Sequence, residues 1–449
     1  MPQEVELRSA PQNDHKPEAI PTNAADEGAV LTSPLNFSGM MGVYLAVNAV
    51  PDAMVLVDGP DCNLYKAHWI QGRHDWNSKL LNINGKHRVC FSNICSTNVV
   101  KDHDDLLIDK LKTLGLLDGA GLVLVSALPM CSITGVDYDR IIRMIGKPDM
   151  PAGAVPPDSL VGDWLDGYEE TMLAMARALD LKGGSPKPEN VAVVGYFMDR
   201  NEGDHLGNLE EMRRLIEGLG LNLVSVWLSG TPSGPLKCVR DAGTILAMPH
   251  GRRAAAAIAA RTGAKILEVG LPFGLGGTER WVLSVAKAFD RVPRAESLIE
   301  RELHQVVPKL EWVLPYLFLH RRVLFMGDPH YLAAFEEVCE DLGCQLAAGV
   351  ATGRKVAGRS APKSCETLWE PKRESPALKK LLGQPVDLVI SNANDAVNYG
   401  LISSGIPVVE FGFPSKKNHV LAEAPFLGFR GFLSFVDRLS SALMPLTLR

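Results

Sequence analysis

The chain has 449 residues, 46% of them hydrophobic, and a formal net charge of -6 from 46 Lys and Arg against 52 Asp and Glu. With no basic surplus to draw in a phosphate backbone or an anionic surface, neither nucleic acid nor a membrane is expected as a partner. No apolar run is long enough to span a bilayer, and the start lacks a signal-peptide pattern, so a cytoplasmic protein of roughly two to four domains is expected.

Residues 1–30 are rich in Pro, Asn, Asp, Glu and Ala and poor in large apolar side chains. Such a segment buries too little to offset the entropy of ordering, and is read as a flexible tail or an arm that orders on a partner. From there a unit repeats: a short apolar run, a turn with Gly, Asp or Asn, then an amphipathic helix. That is the pattern of a parallel sheet covered on both faces. The runs AMVLVDG (53–59), GLVLVSA (121–127), NVAVVGY (190–196), NLVSVWL (222–228), TILAMP (244–249), KILEVG (265–270), RVLFMGD (322–328), VDLVISN (386–392) and PVVEFG (407–412) are the expected strands.

A Gly and Pro cluster at 182–190 and a helical stretch from Arg294 to His320 divide the pattern into α/β units at 31–186, 187–315 and 316–449, three Rossmann-like doubly wound domains. Within the last helical stretch, EWVLPYLFLHRR is apolar at helical spacing and reads as an interdomain core helix.

Ligands of open parallel sheets gather at the carboxyl ends of the strands, where Asp58, Asp199, Asp328 and Asn392 all fall. The plainer reading is that each of the four caps the following helix, a position Asp and Asn suit. No glycine-rich phosphate loop accompanies them, so a nucleotide is not implied.

Eight cysteines in a cytoplasmic chain of this size do not suggest a disulfide framework. Cys339 and Cys344 lie in the helical pattern AAFEEVCEDLGCQL as small buried hydrophobes, and Cys238 and Cys365 sit alone in loops. Cys62 and Cys131 differ, because each follows an apolar strand through a tight turn. Cys90 and Cys95 lie in the connection between them, RVCFSNICSTN. Soft thiolates at fixed positions are what an iron-sulfur cluster requires, but the spacing is not a compact CxxC, and on spacing alone unrelated buried cysteines are the plainer reading. His68, His74 and His87 fall between the first cysteines, His250 follows a strand end, and His419 sits in a polar loop as a surface or interface residue.

GPDC after the first strand, the stretch Cys131 to Asp137 after the next, LPFGLGGTERW (271–281), LFMGDPHYL and GFPSKKNHVLAEAPFLGFRG (412–431) occur in this order. Together, over about residues 31–440, they resemble the component 1 family of nitrogenases and nitrogenase-like reductases. The resemblance implies three α/β domains, an α-like partner subunit in a heterotetramer, and an iron-sulfur cluster (4Fe-4S or 8Fe-7S) where the N-terminal domains meet. It also implies electrons from an ATP-dependent iron protein. Carried onto this chain, the cluster cysteines are Cys62, Cys131 and Cys90, with Cys95 as the competitor for the third place. HWIQGRHDWNSKLLNIN (68–84) departs from nitrogenase itself.

The middle-domain site that holds the catalytic cofactor in α subunits falls near TILAMPH (244–250), which has no cysteine, and LPFGLGGTE and GFPSKKNH look β-type. The expectation is a β-like subunit that relays electrons to a small-molecule substrate shared with its partner, a tetrapyrrole or a methylthio compound before dinitrogen. The alternative is a scaffold subunit on which such a metallocofactor is assembled.

Overall fold

The computed structural model describes residues 37–81, 87–117, 119–145, 150–156, 162–356, 358–394 and 405–447. The expected N-terminal tail lies outside them. Among the described residues thirteen strands form three wholly parallel sheets.

The first sheet has β1 (Ala53–Asp58), β2 (Val89–Phe91), β3 (Leu122–Ala127) and β4 (Ala152–Ala154) in the order β2-β1-β3-β4. The second orders β5 (Lys187–Val194), β6 (Asn222–Val226), β7 (Ala242–Ala247) and β8 (Lys265–Glu268) as β6-β5-β7-β8. The third holds β9 (Arg322–Gly327), β10 (Gln345–Ala351), β11 (Glu366–Trp369), β12 (Leu388–Ser391) and β13 (Val408–Glu410), as β11-β10-β9-β12-β13. Every residue of β1 and β3 is buried, the consequence of helices on both faces.

In each sheet the chain leaves the first strand to one side and returns to the other. The crevices this opens lie at the carboxyl ends of β1 and β3, β5 and β7, and β9 and β12. The residues read as strand-end ligands or caps stand there. Only Asp328 of the three aspartates caps, accepting from the His330 backbone N–H at 2.9 Å. Asp58 and Asp199 are buried and bind side chains instead, and Asn392 is likewise buried.

A helix pair locks the first sheet to the rest. Gly39–Asn48 packs against Trp164–Ala178 so closely that a Cβ on Gly42 would stand 1.8 Å from the Trp164 carbonyl oxygen, and one on Gly167 would stand 1.9 Å from that of Gly39. Asp163 starts the second helix by accepting from the N–H groups of Leu165 and Asp166, and Asp166 returns the favour to the Asp163 N–H. The other Asp163 oxygen takes the Arg359 guanidinium at 2.9 Å and the Arg354 N–H at 2.8 Å, tying this helix to the third sheet.

The stretch from Arg294 to His320 is not one helix. Val292–Leu310 ends and a single turn, Leu314–Leu317, follows, with Pro315 at its start. Leu317 and Phe318 are buried, but Trp312 and Tyr316 are 65% and 74% exposed, so EWVLPYLFLHRR is an irregular surface segment anchored by two side chains and not a core helix. Among the described residues no helix is long and apolar enough to cross a membrane.

Candidate functional site

Two regions at the strand ends concentrate chemistry. The first is the carboxyl edge of β2-β1-β3. Gly59 turns the chain after β1 at φ 142°, a conformation open to glycine, and Cys62 follows in the turn Asp61–Asn63, exposed to solvent. Cys131 lies in the short helix Pro129–Ser132 after β3 and is fully buried. Since Asp58 of β1 pairs with Ala127 of β3, the two cysteine loops leave adjacent strand ends.

Cys95 lies in the loop after β2, exposed, its Sγ 3.0 Å from Thr97 Oγ1, and that hydrogen bond lowers its thiol below the usual range. Cys90 is different: it pairs with Leu56 inside β2, its thiol donates to the His87 carbonyl at 3.2 Å, and burial raises it. Its side chain packs on the face covered by Ile108 and Leu111, while its neighbours Val89 and Phe91 join the opposite core. Three thiols, Cys62, Cys95 and Cys131, thus share the strand-end edge, and Cys90 does not. Exposed Tyr65, Val100 and Ile133 flank them in the chain, an apolar rim on an open surface.

Asp58 ties this edge together. Fully buried, it accepts from Ser92 Oγ at 2.7 Å and Tyr138 OH at 2.8 Å, and stands 3.1 Å from His103 Nε2. Burial first, and then the Asp58 charge, push the Cys131 thiol up to about 12. Ser92, Tyr138 and His103 went unremarked in the sequence because they lie 34, 80 and 45 residues from Asp58.

The second region is the centre, where the other two crevices meet. A cavity of about 30 Å³, room for roughly one or two waters, lies among Trp164, Phe197, Tyr331, Phe411, Phe413 and Phe426, with Asp199, Arg200, Asp204, His205, Asp328, Glu410 and Arg438 on its walls. Asp199 Oδ1 stands 2.7 Å from His205 Nε2 and 3.6 Å from His74 Nε2. Burial opposes charge on both members of the Asp199–His205 pair. Their mutual attraction outweighs it, holding Asp199 well below the carboxylate range and His205 above the imidazole range.

Arg200 is bound to Asp204 and stands 3.4 Å from Glu202. Glu202 accepts the Trp76 N–H and meets His419 Nδ1 at 2.8 Å, while the His419 ring stacks on Trp76. His419 is therefore an internal tie and not a surface residue. The segment from His68, singled out as a departure, delivers His74, Asp75 and Trp76 to this centre. Asp75 accepts from Asn48 and Asn201, and the Ser415 N–H donates to His74 Nδ1. His68 is exposed and His87 half-buried.

His250, at the strand end of β7, does not cap the next helix: Gly251 precedes Arg252–Thr262, and His250 Nε2 lies 2.8 Å from Asp328 Oδ2. His330 stands beside them, its imidazole held down at about 3 by burial and by His250. Cys339 is buried in Leu332–Asp341 as expected, with Cys344 hydrogen-bonded to its thiol; Cys365, expected to stand alone, comes within electrostatic reach of that pair.

The nitrogenase component 1 type oxidoreductase model matches residues 38–444. The chain belongs to that family. Among component 1 relatives it is 22% identical over 379 residues to the nitrogenase molybdenum-iron protein beta chain of Frankia alni, covering 75% of this chain and 70% of that one. To the nitrogenase vanadium-iron protein beta chain of Trichormus variabilis it is 22% identical over 369 residues, covering 72% and 76%. The structure of nitrogenase Cp1 at pH 6.5 superposes with a TM-score of 0.77 at 16% identity over 96% of this chain and 95% of that one, which establishes the component 1 fold. Both relatives are beta chains, in keeping with the β-type segments of the sequence.

Proposed function

We propose that this β-like component 1 subunit binds an iron-sulfur cluster through Cys62, Cys95 and Cys131 at a junction with an α-like subunit, and relays electrons from an ATP-dependent iron protein toward a substrate site shared with that partner. The observation that carries the reading is the placement of three thiols at adjacent strand ends, on an open edge with an apolar rim. The donor set fits: thiolates are the ligands such clusters take, and two of the three, Cys62 and Cys95, are exposed toward a partner while Cys131 is buried behind them in its own loop. Cys95 is preferred to Cys90 because the Cys90 side chain is committed to the helix-covered face.

When bound, the cluster would supply one-electron storage. The protein's part is positional. To become a ligand Cys131 must lose a proton that burial and Asp58 hold on it, and the Asp58–His103 pair is the group placed to take it. The aromatic filling of the centre supports the view that the substrate-reducing cofactor is held by the partner, since about 30 Å³ admits no cluster. The alternative ligand Cys90 and the scaffold role are separated by experiment.

The test is iron and sulfide analysis of anaerobically purified complex. Cys62→Ala, Cys95→Ala and Cys131→Ala are expected to lose iron and Cys90→Ala to keep it; full iron in all four variants would end the reading. A complex that donates its cluster to an apo-reductase while consuming no ATP with any substrate would replace the relay with the scaffold.

A further inference from the structure

The centre holds a constellation that the cysteine edge does not use. His250 follows β7, and Asp328 and His330 follow β9, so two sheets bring them together. A ligand atom from each lies within 4.8 Å of the others, and among the described residues no other trio of His, Cys, Asp or Glu does so.

The trio is pre-arranged. Asp328 Oδ1 is fixed by the His330 backbone N–H at 2.9 Å, which leaves Oδ2 directed at His250 Nε2, 2.8 Å away. The imidazoles of His250 and His330 meet edge to face with centroids 4.4 Å apart. His250 is 3% exposed. A simple histidine–aspartate tie between sheets gives no reason for a second imidazole, that of His330, beside the pair.

We propose that His250, Asp328 and His330 bind one divalent transition-metal ion of the zinc or ferrous class. Two imidazoles and one carboxylate are borderline donors that suit those ions, and not calcium or magnesium, which take oxygen. One negative ligand faces the two positive charges of the ion. The guanidiniums nearest His330 are already engaged, Arg359 by Asp163 at 2.9 Å and Arg252 by Glu268 at 3.4 Å. Binding displaces the proton that His250 shares with Asp328. Three protein ligands leave a position open for water, and Asp328 also lines the small central cavity, which has room for it. This site stands apart from the cysteine edge and does not depend on it.

The experiment is titration of chelator-treated full-length protein with zinc by calorimetry and with cobalt by visible absorption, in wild type and in a Cys62→Ala, Cys131→Ala double variant. Both should take up one ion per chain with the same ligand-field bands and gain thermal stability on zinc addition. Asp328→Asn and His330→Gln, each checked for wild-type circular dichroism, should lose at least about 10-fold in affinity. The milder His330→Gln keeps the test alive if Asp328→Asn fails to fold. Folded wild type that binds no zinc or cobalt, or uptake unchanged in His330→Gln, overturns the site. Uptake that vanishes with the cysteines and survives in His330→Gln overturns it too, while leaving the cluster reading in place.

Discussion

Replacing Gly42 by Ala tests how the first sheet is held to the rest. The added Cβ would stand 1.8 Å from the Trp164 carbonyl oxygen and 2.5 Å from the Tyr168 nitrogen, both backbone atoms that no rotamer change relieves. Ordinary contact is restored only if the helices Gly39–Asn48 and Trp164–Ala178 part by about 1.6 Å. A gap of even half to one ångström forfeits a quarter to a half of each dispersion contact, and Val43, Tyr44 and Val47 on one helix and Trp164, Tyr168 and Thr171 on the other are all buried.

Overpacking at the upper end costs about 3 kcal/mol, and alanine's helix propensity returns about 1 kcal/mol of it, which leaves a net loss of roughly 2 kcal/mol or more. Calorimetric unfolding should show the loss as a fall of several degrees in the transition. Gly270→Ala is the control, since its Cβ would meet nothing within 4 Å, and it should stay within about 0.5 kcal/mol of wild type. If Gly42→Ala unfolded together with the control, the close approach of these helices would be wrong.

Asp163→Ala removes two cap bonds and strands the Arg359 guanidinium, 5% exposed, without its carboxylate; denaturation should show a loss of about 3–5 kcal/mol. The Asp199–His205 pair predicts a pH profile with two limbs. The raised His205 contributes fully below about 6.5 and its share is lost as pH rises through its folded value, whereas the depressed Asp199 contributes above about 3.9 and is lost on acidification through its own. Melting followed from pH 6 to 9 should fall with a slope of at most about 1.4 kcal/mol per pH unit for this proton, and His205→Gln should flatten that limb. Asp58→Asn removes a negative charge beside Cys131, so a cluster there should have a higher reduction potential by redox titration; an unchanged potential would show that this carboxylate does not act on it.

The buried strands were plain in the sequence because a strand covered on both faces must be an unbroken apolar run, as in β1, β3, β5 and β9. Edge strands lack that requirement. β4 is AGA and β11 is ETLW; β10, QLAAGVA, is interior, but its Ala and Gly carry little strand preference, so its start merged with the preceding helical pattern. Cysteine positions relative to strand ends were readable for Cys62 and Cys131, since a turn follows the run directly. Which of Cys90 and Cys95 stands beyond a strand end depended on where β2 stops, and three residues of strand leave no periodicity to read. The central network was hidden for another reason: His250 and Asp328 are neighbours only because separate sheets turn their carboxyl ends to one point, and His74 reaches Asp199 from an irregular segment far away in the chain.

Asp58 has a bearing on assembly. It is itself the last residue of the strand leading to Cys62; it grips Ser92, whose hydroxyl also receives the Gly59 N–H, at the root of the Cys95 loop; and it holds Tyr138 on the segment after Cys131. One carboxylate therefore staples all three cysteine-bearing loops. On the proposed reading, the edge would act as a jig whose spacing is set before a cluster is clamped in it, so that loading would cost little ordering entropy.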